Sequence, residues 1–282
     1  MQGNLRKMRA ELGNPVRYEL LLSDQAMPLN PLIGKSIKLA YTGKINCVHC
    51  GRSTKKSFNQ GYCYPCFISL AQCDMCIMKP ETCHYAAGTC REPAWGEAFC
   101  MQPHTVYLAN SSGIKVGITR ENQIPTRWID QGAVQALPIF KVRSRYISGL
   151  VEVAIAKHIS DKTSWQQMLK NNVEELDLAA KRGELMATCQ AELADITQRF
   201  GMQAIEYLPH EQAVDIHYPV NRYPDKVKSF NLDTNPEVSG ILEGIKGQYL
   251  LLDTGVINLR KYSGYELEFS APEKADELFP NE

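Results

Sequence analysis

Between residues 14 and 46 apolar and polar positions alternate, in Val16-Arg-Tyr-Glu-Leu-Leu-Leu22 and again in Ile37-Lys-Leu-Ala-Tyr41, with Pro28, Pro31 and Gly34 between the two runs. A period of two with turn residues between the runs predicts strands. Residues 47–104 lose all periodicity. From His104 two apolar runs, Val106-Tyr-Leu-Ala109 and Ile114-Lys-Val-Gly-Ile118, flank Asn110-Ser-Ser-Gly113 and predict a hairpin. Pro125 and Gly132 bracket a short helix, and Leu137–Arg145 reads as a third strand. Ile147, Leu150, Val151, Ala154, Ile155 and His158 then fall on one face of a helix over 147–159, which gives the order ββαβα. A further amphipathic helix is expected over 174–200. Its stripe runs through Leu185, Cys189, Leu193, Ile196 and Phe200, so Cys189 is expected to be a buried structural thiol. The tail, Val238–Phe269, has glycines at 240, 244, 247, 255 and 264 between short apolar stretches, the pattern of a small, strongly bent antiparallel sheet.

These elements describe an α+β chain in five segments. A β-rich stretch (1–46) leads into a cysteine-rich, zinc-ribbon-like module (47–104), and a compact ββαβα domain (105–170) follows. A helical connector (171–205) and a β-rich tail (206–282) complete it. The 282 residues, 44% hydrophobic and 22% charged, suffice for a real core and exclude a disordered protein. No apolar run approaches the roughly twenty residues of a membrane helix, and the basic N-terminus lacks an apolar signal core, so a cytoplasmic location without membrane contact is expected. In that compartment thiols stay reduced and clustered cysteines read as metal ligands. Zero net charge argues against a large basic surface. Residues 105–170 nevertheless hold nine Lys and Arg against four Asp and Glu.

All the cysteines except Cys189 lie between 47 and 100. Cys47-Val-His-Cys50 and Cys63-Tyr-Pro-Cys66 form two CxxC pairs whose spacing suits one four-cysteine zinc site. Beyond them come Cys73, Cys76, Cys83, His84, Cys90, Cys100 and His104, dense enough to predict a second zinc anchored by the Cys73/Cys76 pair. The plainer alternative makes two or three of these thiols small buried apolar residues. Redox catalysis would need a single CxxC at a helix N-terminus in a βαβ setting, which this clustering does not suggest.

Four residues of the 105–170 segment sit where chemistry is feasible: Tyr107 on the first strand, Lys115 beside Gly117 on the second, Arg127 on the short helix and Glu152 on the next. Glu152 lies roughly 130° from the centre of its helix's apolar stripe, off the core face. A tyrosine, an arginine and a carboxylate suit phosphodiester hydrolysis with a divalent metal. Lys141, Arg143 and Arg145, two apart on the third strand, are expected to share one face and follow a nucleic-acid backbone. The alternative for them is a solvated edge strand.

Val106-Tyr107-Leu108, the turn, Lys115-Val116-Gly117-Ile118-Thr119, Pro125-Thr-Arg127 and the helix with Glu152 together resemble a compact GIY-YIG nuclease domain. The likeness implies that Tyr107 helps activate the attacking water, that Arg127 steadies the phosphate and that Glu152 holds Mg²⁺ or Mn²⁺. Lys115 stands where the family has its second tyrosine. Asn59-Gln-Gly-Tyr-Cys63, Gly88-Thr-Cys90-Arg-Glu-Pro93 and Pro125–Gly132 also look like an uncharacterised bacterial family that joins cysteine clusters to such a domain. Two functions follow as expectations: an endonuclease acting on DNA or RNA, or a non-catalytic zinc adaptor that binds RNA, a ribosome or a protein partner through the metal module.

Overall fold

A computed structural model describes residues 1–159 and 164–272. Four residues of the expected 105–170 domain and the last ten of the β-rich tail lie outside the described residues. Five strands come first: β1 (Gln2–Asn4), β2 (Arg9–Glu11), β3 (Arg17–Leu22), β4 (Gln25–Pro28) and β5 (Ser36–Ile45). The cysteine-rich segment has α1 (Tyr64–Ser69), a series of single 3-10 turns, and α2 (Pro93–Phe99). Then follow β6 (His104–Asn110), β7 (Ile114–Arg120), α3 (Thr126–Asp130), β8 (Gln135–Val142) and α4 (Arg145–Ala156). After α5 (Trp165–Leu169), α6 (Leu178–Thr188) and α7 (Gln190–Phe200) come the short β9 (Ile205–Tyr207) and β10 (Val214–Asp215). The chain closes on β11 (Glu237–Lys246), β12 (Tyr249–Leu252), β13 (Gly255–Asn258) and β14 (Tyr265–Ser270). No helix among the described residues is long and apolar enough to cross a membrane.

The chain groups into two compact units, one of residues 1–11, 15–63 and 218–282 and the other of 12–14 and 64–217. The five segments expected from sequence follow changes in residue chemistry, whereas the units follow strand pairing. In the first unit a six-stranded antiparallel sheet runs β1-β14-β5-β11-β12-β13, and β2-β3-β4 form a separate three-stranded sheet. Alternation built them: Tyr18, Leu20 and Leu22 of β3, Ile37 and Leu39 of β5, and Leu267 and Phe269 of β14 are buried while their neighbours are more exposed. Irregular register at Leu242/Gly244 and Tyr265/Leu267 bends the sheet, as the glycine-rich tail predicts.

In the second unit β6 is fully buried at the centre of a sheet ordered β10-β8-β6-β7, with β9 also pairing β8. The order β6, β7, α3, β8, α4 is the expected ββαβα. Val106, Leu108, Leu137 and Ile139 from the sheet pack with Val151 and Ile155 of α4 and with Leu185, Leu193 and Ile196 beyond it. Two expectations need correcting. The single helix over 174–200 is two, α6 and α7, broken at Cys189 (φ −95°, ψ 9°), although the buried stripe continues through the break. The third strand stops at Val142 because Ser144 caps α4, its hydroxyl accepting from the Ile147 amide at 3.4 Å.

One close approach on α4 gives a testable packing constraint. An added Cβ on Gly149 would stand 2.5 Å from the Glu81 amide nitrogen, in backbone that cannot step aside. Alanine in a helix interior normally stabilises by about 1 kcal/mol over glycine. Here the clash reverses the sign, and Gly149→Ala is expected to cost about 1–2 kcal/mol. A denaturation midpoint equal to or above that of the wild type would contradict this packing.

Candidate active site and cysteine centres

Tyr107 stands on the central strand opposite Gly117, and an added Cβ at Gly117 would lie 2.7 Å from the phenol oxygen. The glycine therefore makes room for the ring, which meets Trp128 of α3 edge-on at 5.9 Å between centroids. The hydroxyl donates to Gln131 Oε1 at 2.8 Å. Burial pushes the phenol up to about 12, against the opposing pull of the Arg127 charge and its hydrogen bond; the Glu152 carboxylate adds a small push of its own. At neutral pH Tyr107 is thus a protonated hydrogen-bonding group.

Glu152 is half-buried on α4, and burial raises its carboxyl to about 7. Arg145 and Arg127 oppose that rise, while Glu81 of the cysteine-rich segment adds to it. Tyr107, Arg127 and Glu152, far apart in sequence, therefore sense one another's charge in one cluster. Arg127 itself is exposed. Lys115 is half-buried and pairs with Ala109, so the hairpin register places it on the Tyr107 face of the sheet.

The expected stripe of three cations does not form. Lys141 is the only one of the three on β8, and it pairs with Glu121 at 3.1 Å. Arg143 lies beyond the strand end and its Nη2 reaches the Phe200 carbonyl at 3.4 Å. Arg145 is the first residue of α4, where its Nη2 donates to the Ile77 carbonyl at 2.6 Å and its amide to the Cys100 carbonyl at 2.8 Å. Its Nε is buried without a hydrogen-bond partner among the described residues. Burial lowers its affinity for its proton, partly against the charge of Cys100. The Lys-Val-Arg-Ser-Arg alternation imitates a strand, but the Ser144 cap turns the third cation inward. That serine was the signal for placing Arg145 beside Glu152. Glu81 and Gln131 carried no signal of their own, because each joins the cluster only through tertiary packing.

Cys47, Cys50, Cys63 and Cys66 bring their sulfurs within 4.8 Å of one another, with Cys50 and Cys63 at 3.7 Å. Sulfurs at the corners of a zinc tetrahedron with 2.3 Å bonds stand about 3.8 Å apart. Burial alone would raise the Cys47 thiol, but backbone amides of Cys50, Cys63 and His49 outweigh it and bring it to about 6. The chain thus stabilises a thiolate there. This cluster could hold a zinc ion.

The later cysteines divide differently from expectation. Cys76, Cys83, Cys90 and Cys100 line one small cavity of about 20 Å³. Cys73, the expected anchor, is buried and is not part of its lining. Asp74, Cys76 and His84 also place ligand atoms within 4.8 Å of one another. Asp74, however, already binds Arg91 Nε at 2.6 Å and the Cys76 amide at 3.2 Å. His104 stands apart, wholly buried, with Nδ1 2.7 Å from the Gln102 carbonyl, and burial pushes it down to about 4.

A family model described as "Protein of unknown function (DUF2797)" matches residues 34–267, and the chain belongs to that family. No curated protein and no solved structure matches it.

Proposed function

We propose that this member of a family of unknown function is a zinc-containing nucleic-acid-binding protein whose ββαβα segment is a GIY-YIG-like endonuclease. The observation that carries the reading is the electrostatic cluster of Tyr107, Arg127 and Glu152, in which Tyr107 is hydrogen-bonded to Gln131, with Arg145 behind it. The element order β6-β7-α3-β8-α4 supports the same likeness.

In this reading Glu152 would hold Mg²⁺ or Mn²⁺, which supplies Lewis acidity at a phosphoryl oxygen. Water attacks phosphorus and gives up a proton to solvent, the bond to the leaving sugar oxygen breaks, and that oxygen takes up a proton from solvent. Arg127, exposed and unneutralised by an ion pair among the described residues, offsets the charge that builds on the non-bridging oxygens. Tyr107, kept protonated by burial and donating to Gln131, would orient the attacking water by accepting a hydrogen bond from it. Lys115 adds a cation on the same face, and Lys141 and Arg143, being outside the cluster, would contact flanking phosphates rather than the scissile one.

Purified protein incubated with single-stranded, duplex and branched DNA and RNA is expected to cleave at least one of them in Mg²⁺ or Mn²⁺. Tyr107→Phe and Arg127→Ala should each reduce the rate by about 10²-fold or more. Undiminished cleavage by both variants would sink the assignment.

A second reading is a non-catalytic adaptor. It is favoured by Lys115 in place of a second tyrosine, and by the exposed Tyr64, Ile68, Met75 and Met78 in the cysteine-rich segment. Salt-dependent binding of the same substrates without cleavage in either metal would select it.

A further inference from the structure

We propose that Cys76, Cys83, Cys90 and Cys100 form a second metal centre, a four-thiolate zinc site distinct from the Cys47/Cys50/Cys63/Cys66 cluster. It goes beyond the nuclease reading and stands whether or not nucleic acid is cut. The four cysteines come from four successive turns and line one cavity of about 20 Å³; Cys76 shares a 4.8 Å ligand group with Asp74 and His84 rather than with the other three thiols, so zinc binding would draw those thiols inward. Cys76 lies in the 3-10 turn Met75–Ile77, Cys83 follows the turn Pro80–Thr82, Cys90 follows the left-handed Gly88, and Cys100 ends α2. Two packing details hold the set in place. An added Cβ on Gly96 would stand 3.0 Å from the Tyr85 ring and 3.3 Å from Cys90 Sγ, so the glycine brings α2 close against both. The amide of Cys100 donates to the Gly96 carbonyl at 2.7 Å.

Within itself the segment has little else to hold it together. Between residues 64 and 103 the buried apolar side chains are Leu70, Ala71, Cys73, Pro80 and Cys100, and no helix exceeds the seven residues of α2. Forty residues of short turns with so little apolar burial require another source of stability, and structural zinc supplies it in small domains. Soft thiolates in a set of four select Zn²⁺ in tetrahedral geometry. On binding, four S–H protons pass to solvent as four Zn–S bonds form, with no change of oxidation state. Asp74 and His84 belong to the surroundings of this site. Asp74 is held by Arg91, His84 Nδ1 lies 2.8 Å from Thr89 Oγ1, and together they fix the loops that carry Cys76, Cys83 and Cys90.

The test is metal analysis of the full chain. Two zinc ions per chain are expected in the wild type and in Cys73→Ser, and one in the Cys83→Ser/Cys90→Ser double variant. One zinc per wild-type chain, or loss of a zinc in Cys73→Ser, would overturn the assignment. Thiol alkylation of the zinc-loaded wild type guards against a variant that fails to fold. Cys83 and Cys90, half-exposed in the fold, should resist alkylation until a chelator is added. Rapid labelling of both before chelation would count against the site.

Discussion

Removing zinc from the Cys47/Cys50/Cys63/Cys66 cluster, or replacing Cys63 by serine, is expected to lower the unfolding midpoint by more than about 10 °C. Structural zinc contributes roughly 10–16 kcal/mol of apparent binding energy in small zinc-dependent peptides, comparable with the ~5–15 kcal/mol that keeps a whole domain folded. Loss of even about 5 kcal/mol moves the midpoint of a domain this size by about 10–20 °C. Cys63 is the ligand to change because it is buried, so that serine leaves its hydroxyl with neither metal nor water. Calorimetry with and without chelator, with zinc content measured in the same samples, reads the effect. A midpoint that moves by less than a degree after zinc has been shown to leave would mean that the cluster is not structural.

Glu152→Gln is expected to abolish cleavage and yet to stabilise the metal-free protein above neutral pH. The carboxyl is raised from about 4.5 to about 7 by burial, so between those values the folded state holds a proton that the unfolded state has released. Stability therefore falls as pH climbs from 4.5 to 7 and stays lower above it, by about 3 kcal/mol in all. Glutamine has the same shape and no charge to bury, and it removes that loss. Denaturation at pH 4.5 and pH 8 should show the variant equal to the wild type at the lower pH and more stable at the higher. The wild type alone should regain the difference when Mg²⁺ or Mn²⁺ is added, since only it has a carboxylate to bind the cation. Cleavage by the variant should fall by about 10³-fold. A variant that is less stable at pH 8, or that cuts at the wild-type rate, would mean that Glu152 has another role.

Features set by short spacings are legible in the chain. Two CxxC pairs place four thiols together, and the β6–β7 hairpin and α3 follow from Asn110–Gly113, Pro125 and Gly132. Tyr107, Arg127 and Glu152 stand out by position along those elements, and the charges of Arg127 and Glu152 reach Tyr107. Features that depend on distant partners were not legible. The pairing of β1 with β14, residues 2–4 with 266–268, leaves no local trace. The cysteines that line the second cavity are set by how four turns fold back, and Cys73 of the Cys73/Cys76 pair lies outside that lining. Arg145 was misassigned because an alternating pattern and a helix cap overlapped within five residues. In each case the local rule was valid and a contact outside its range decided the outcome.

The face of α4 that bears Arg145, Gly149 and Glu152 is covered by residues 77–81. Excising residues 105–170 as a stand-alone catalytic fragment would therefore expose Gly149, strip Arg145 of its carbonyl partner and hand Glu152 back to water, restoring an ordinary acid. Cutting the chain where its composition changes would yield a piece that keeps β6, β7 and β8, leaves β9 and β10 behind, and loses the electrostatics. Gene fusions and truncation libraries built on that boundary should be expected to return inert protein, and the boundary worth keeping lies upstream of the turns that carry Cys76 and Cys83.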